Sequence, residues 1–156
     1  MSDSDIVQIG GFGTRYLVEG TETGGAYALL EHTLEPGTMG APPHRHARED
    51  VLSYVLEGTL TVWEDGATRT FRPGETTVKP RGRWHTFWNA GKDRVRFLEV
   101  ISPPAFAPYF REMAAILVEP GPPNWAALGE LAARYGLEMD FAIEEALAAE
   151  HGVQLG

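Results

Sequence analysis

An all-β core followed by a helical C-terminal part is the fold class that this sequence predicts, and three observations carry the prediction. Residues 1–100 contain 22 Val, Ile and Thr, 13 Gly and 6 Ala, whereas residues 101–156 contain 5, 5 and 12. β-branched side chains suit a pleated surface and alanine suits a helix, so the composition changes state near residue 101. Short apolar runs punctuated by glycine and proline turns fill the first part, spaced too closely for helical crossovers between parallel strands. A chain of 156 residues with 43% hydrophobic residues can also bury one domain's core unaided.

In order along the chain, the strand candidates are Ala26 to Leu34, Leu52 to Glu57, Thr59 to Trp63, Glu75 to Val78, Trp84 to Trp88 and Arg94 to Ile101. Glu35-Pro36-Gly37, Glu57-Gly58, Asp65-Gly66, Arg72-Pro73-Gly74, Arg81-Gly82 and Asn89-Ala90-Gly91 separate them, as expected of a sandwich or small barrel. Ser102-Pro103-Pro104 ends the last strand. Phe106, Phe110, Met113 and Leu117 then recur at helical spacing. Asn124 is placed to cap a second helix carrying Trp125, Leu128, Leu131 and Tyr135 and stopped at Gly136, and Asp140 a third that ends before Gly152. The division is therefore residues 1–101 as a β unit and 102–156 as helices packed on it or on a partner copy.

Composition excludes several function classes. A net charge of −9 repels phosphate backbones and anionic lipid, which argues against nucleic acid and membrane surfaces as partners. No cysteine is present, so a metal here needs imidazole or oxygen ligands. The longest apolar run, Met113 to Val118, is too short to span a bilayer, and the first fourteen residues carry Asp3 and Asp5 without Lys or Arg, unlike a secretory leader. The expected location is the cytoplasm.

Three of the five histidines lie in two short motifs. His44-Arg45-His46 puts two imidazoles on one face of an extended strand, as two ligands of one ion require. His85 shares its strand face with Phe87 and Asn89. Strands facing one another inside a barrel would let the three rings converge.

Gly74-x5-Pro80-x-Gly82-x2-His85-x3-Asn89 reproduces the second motif of the cupin superfamily, and Pro43-His44-Arg45-His46 through Tyr54-Val55-Leu56-Glu57-Gly58 resembles most of the first. The fifteen intervening residues, 59–73, are similar to the spacing in small single-domain bacterial cupins, and the likeness covers residues 26–101. It implies a double-stranded β-helix, a jelly-roll barrel with a divalent metal near its mouth. It also implies His44, His46 and His85 as ligands. The family's fourth ligand, a glutamate, falls on position 51, which is Val51. Glu49 and Asp50 precede it and are the candidate bases; Glu49 could reach the metal only through a tightened loop. Val51, Ser53, Phe87 and Phe97 are expected to line the pocket.

Three neutral imidazoles around a dication favour an anionic, chelating small-molecule substrate, and three-histidine iron sites occur among cupin oxygenases. The resemblance therefore points to a quercetinase-like, metal-dependent dioxygenase acting on an enol, hydroxy-keto or polyphenol substrate, with Fe(II) favoured and Ni, Mn, Cu or Zn possible. Two alternatives stand beside it: a non-catalytic binding module with a degenerate metal site, and a metal-dependent isomerase or lyase. His32, on the apolar face of its strand, reads as a packed histidine, and His151 as a helix-end residue. Arg45, Arg48, Arg81 and Arg83 read as salt-bridge partners, Asn89 as a turn stabiliser. The exposed edges of a jelly roll predict a homodimer.

Overall fold

Val95, Phe97, Glu99 and Ile101 alternate with more exposed neighbours, and all four are buried. That period-two pattern places their strand at the heart of a sheet with one face turned to the core. The computed structural model describes residues 6–156, so Asp3, Asp5 and the first residues of the 1–101 unit lie outside the described residues. Thirteen strands and three helices follow: β1 (Ile6–Ile9), β2 (Phe12–Val18), β3 (Ala28–Leu34), β4 (Thr38–Met39), β5 (His44–His46), β6 (Asp50–Glu57), β7 (Leu60–Glu64), β8 (Ala67–Phe71), β9 (Thr76–Lys79), β10 (His85–Trp88), β11 (Val95–Ser102), α1 (Tyr109–Leu117), α2 (Trp125–Arg134), β12 (Leu137–Met139), α3 (Phe141–His151) and β13 (Gln154–Leu155).

The strands form two sheets. One is antiparallel throughout, in the order β1-β2-β3-β11-β6-β9. The other runs β12-β5-β10-β4-β13, with β7 also paired to β10 and β8 to β7. Their inner faces supply a common core that includes Leu30, Val51, Val55, Phe87, Phe97 and Ile101. This is the jelly roll expected from the sequence, carrying its helices at the C-terminal end.

All six predicted strands form, with ends shifted by a residue or two. The β1–β2 hairpin, β8 and the two- and three-residue strands β4, β5, β12 and β13 are additions. β8 gave little signal because four of its five residues, Ala-Thr-Arg-Thr, are exposed, so no apolar alternation marks it. Asn124 caps α2 by accepting from the Ala127 N–H at 3.1 Å, and Asp140 caps α3 by accepting from Ile143 at 2.9 Å. Gly152 closes α3 with φ +66°, the left-handed conformation that ends helices.

The helices cover two surfaces. α3 lies on the outside of the second sheet, where Leu147 and Val153 join Met39, Trp63 and Trp88 in a small separate core. His151 sits there too, its ring 4.7 Å from that of Trp88. α1, α2 and β12 instead close the open end of the jelly roll, and Phe106, Tyr109, Phe110, Leu131 and Leu137 extend the main core. No described helix is long and apolar enough to cross a membrane.

Candidate metal centre

β5 supplies His44 and His46 and β10 supplies His85, with His85 paired directly opposite His44. Both strands turn these side chains inward, and all three are buried. The ring centroids of His44 and His85 are 4.3 Å apart, and those of His46 and His85 are 5.5 Å apart. One nitrogen from each ring lies within 4.8 Å of the other two, the only such group of three or more among the described residues. Donors this close together are placed to share one ion, whose bonds to imidazole nitrogen are about 2.1 Å long.

Hydrogen bonds determine which nitrogens are free. Nδ1 of His44 donates to the Pro42 carbonyl at 2.8 Å and Nδ1 of His85 to the Arg83 carbonyl at 3.2 Å, which leaves Nε2 of each as the lone-pair donor. Gly82 holds the β5 end from the other side: with φ +79°, it donates its N–H to the His46 carbonyl at 2.8 Å. Burial pushes His44 down to about 4 and His46 to about 3, the latter helped by the neighbouring His44; His85 also falls well below its ordinary value, chiefly through burial. All three imidazoles are therefore neutral at pH 7 and able to ligate. The donor set fits a first-row divalent metal ion.

A stability dependence follows from the same shifts. The unfolded histidines take up protons near 6.5 and the folded ones only near 4 or below, so their contribution to folding is complete above pH 6.5 and is lost as pH falls from there. Thermal melts of chelator-treated protein are expected to weaken steeply between pH 6.5 and 4, and His46→Gln to flatten that slope. An unchanged slope in the variant would contradict the assignment.

The two candidate bases separate. Glu49 is buried just before β6, with Oε2 3.9 Å from Nδ1 of His46. Neither atom has a hydrogen-bond partner among the described residues. A shift of about 1 Å joins them at normal hydrogen-bond length. Glu49 thus faces the back of the His46 ring, where a carboxylate orients a ligating histidine rather than touching the ion. Glu49→Gln is expected to weaken metal binding by about 10–100-fold, read as a competitive chelator titration. Asp50 is half-exposed and bonds Arg81 through both its oxygens at 2.9–3.2 Å.

The expected pocket residues also divide. Phe87 lines a cavity of about 100 Å³ together with His44 and His46. Gly40 makes room for its ring, since a Cβ there would lie 2.1 Å from Phe87 Cε2. Val51 and Phe97 are packed in the main core, and Ser53 is fully buried beneath Lys79. None of these three borders the cavity; Phe97 packs edge-on against the Phe87 ring that does.

Two charged residues that sequence reading missed occupy the interior. Glu99, on the inward face of β11, lines the cavity. One of its oxygens accepts a short hydrogen bond from Nε2 of His32, whose Nδ1 contacts Thr14 Oγ1 at 2.9 Å. Burial alone would raise the Glu99 pKa, but His32, Lys79 and His46 outweigh it and hold the carboxyl below its ordinary range. Lys79 stands opposite Val51 in the β6–β9 register, fully buried, with Nζ donating to Ser53 Oγ at 2.5 Å. Burial lowers its pKa, and Glu99 partly restores it. Inward parity on its strand was the available signal for Glu99; Lys79 lies one residue beyond the predicted strand, Glu75 to Val78.

The C-terminal extension completes the site. β12 pairs with β5, setting Leu137 opposite His46 and Met139 opposite His44. The Phe106 ring stands edge-on to His46 at 4.4 Å, and Tyr109, Phe110 and Met113 of α1 roof the cavity. The motif arginines stay outside: Arg45 pairs with Glu138, Arg81 with Asp50 and Arg83 with Asp65, while Arg48 donates to the Arg134 carbonyl. Asn89 braces its turn by donating to the Leu34 and Asp93 carbonyls.

Comparison with known proteins agrees with this architecture. Residues 30–101 match the model of the Cupin domain family. KdgF from Halomonas sp. superposes with a TM-score of 0.58 at 22% identity, covering 66% of this chain and 92% of that one. A sugar phosphate isomerase of the cupin superfamily from Silicibacter pomeroyi gives a TM-score of 0.53 at 27% identity, over 59% of each chain, so less than two thirds of that protein is spanned. A predicted oxalate decarboxylase from Thermotoga maritima gives 0.54 at 23% identity, covering 58% of this chain and 79% of that one. No curated protein matches the sequence. Residues 30–101, which hold all three clustered imidazoles, form a cupin domain.

Proposed function

We propose that this protein is a metal-dependent oxidoreductase of the dioxygenase type, acting on a small substrate with adjacent enol, hydroxyl or keto oxygens. His44, His46 and His85 would hold the ion, Fe(II) in the first instance with Ni, Mn, Cu or Zn as alternatives. One observation carries the reading: two of the three clustered neutral imidazoles, His44 and His46, share a largely apolar cavity with a buried, ionised carboxylate, Glu99. The bound ion would supply Lewis acidity and a template for the chelating oxygens.

The chain's own residues account for the rest. Glu99 takes the proton from the substrate's enol or hydroxyl oxygen, and His32 fixes the carboxylate that receives it. Phe87, Phe106 and Phe110 exclude water from the ionised substrate. Dioxygen is the second substrate, and both its atoms enter the product. Oxygen uptake on turnover supports this; turnover without uptake selects the isomerase or lyase reading, which the 27% identity to the sugar phosphate isomerase favours.

His85→Ala separates enzyme from binding module: the enzyme loses metal and substrate affinity together, whereas a module keeps its small-molecule affinity. A homodimer belongs to the same proposal, supported by the edge strand β9, where Val78 is 53% exposed. Sedimentation as a two-chain species is the expected result. A cytoplasmic location completes the proposal.

A further inference from the structure

The cavity beside His44 and His46 continues outward. Tyr109, Met113, Leu117, Leu137 and Met139 border both it and a larger cleft of about 480 Å³ between α1, α2 and the start of α3. Leu128 lines that cleft, and Trp125 and Phe141, 68% and 54% exposed, stand along it. Among the described lining residues of the cleft none has a charged side chain, and in the inner cavity Glu99 has the only ionised one. A contiguous apolar channel of this kind marks a binding surface.

The occupant is constrained at both ends. Its inner end meets imidazoles and a carboxylate; its body meets only apolar walls. A phosphate or sulfate ester would find no lysine or arginine to pair with and would face Glu99. We propose that the substrate is an elongated, uncharged apolar compound whose two chelating oxygens sit at one end, with its tail lying in the cleft between α1 and α2. The head-group part rests on the metal reading above; the tail part does not.

The test uses a β-diketone bearing an eight-carbon tail, acetylacetone as its tail-less counterpart, and fructose 6-phosphate. Affinities are measured by calorimetry in metal-free and zinc-loaded protein, with tryptophan emission as a second readout and Trp125→Phe as its control. Each buried methylene contributes about a fourfold gain, so the tailed compound should bind at least thirtyfold tighter than acetylacetone even without metal. Trp125 emission should change, and Leu128→Glu should remove the preference while leaving acetylacetone binding unaltered. Equal affinities for the two diketones, or tighter binding of the sugar phosphate, would overturn the proposal. So would a two-chain species that Leu128→Glu dissociates without altering tail affinity, which assigns the cleft to a second copy. A tail preference that persists while zinc adds nothing would instead count against the metal reading alone.

Discussion

Glu99→Gln is expected to lower kcat by about two to four orders of magnitude while leaving metal content unchanged. Glutamine keeps the shape of the side chain and an oxygen for His32 to donate to, but it cannot receive a proton. The ionised state of Glu99 explains why so much depends on it. Burial works against a charged carboxyl, and the contact with His32, aided by Lys79, reverses that tendency. A Glu99→Gln enzyme with wild-type kcat would remove Glu99 from the chemistry and leave it a packing role.

Lys79→Met is expected to tighten metal binding by about a hundredfold. The Lys79 ammonium acts on all three imidazoles, lowering the proton affinity of each. What disfavours a proton there also disfavours a dication. For scale, a unit charge and a dication at a separation of about 10 Å repel by about 3 kcal/mol at an effective dielectric constant of about 20, which is more than a hundredfold in affinity. Methionine fills a similar volume without the charge, and Glu99 then keeps its contact with His32 alone. Val51→Glu is the complementary change. It restores a carboxylate on the inward face of β6, but directly opposite Lys79, so the two charges should pair and the gain in affinity should emerge fully only in the double variant with Lys79→Met. Metal affinities equal to wild type in the single Lys79 variant would show that its charge is screened from the site.

The features legible in the sequence were the local ones. Pro80, Gly82, His85 and Asn89 lie within ten residues of one another, and each acts on its immediate surroundings, so their spacing, together with His44-Arg45-His46, carried the resemblance that implied the site and the fold. Asn124, Asp140 and Gly152 announced their helix ends for the same reason: a cap bonds the backbone of its own helix. Glu99 and Lys79 were hidden in a chain whose acids outnumber its bases and whose charges mostly face solvent. Only strand parity, Phe97 and Ile101 inward and Glu99 between them, could have singled one out. The roof over the cavity was beyond local reading, because pairing Leu137 with His46 joins residues far apart in sequence through a three-residue strand. The helices α1 and α2 thus became part of the pocket wall, and Val51, at the position where the resemblance expects a glutamate, stands opposite the buried Lys79.

Metal analysis of the full chain purified without chelators tests the central claim most directly. Three buried, neutral imidazoles predict about one first-row divalent ion per chain, lost in His85→Ala and restored to chelator-stripped wild type by Fe(II) or a neighbouring metal. Protein that carries no metal, and takes up none on reconstitution, would contradict the account.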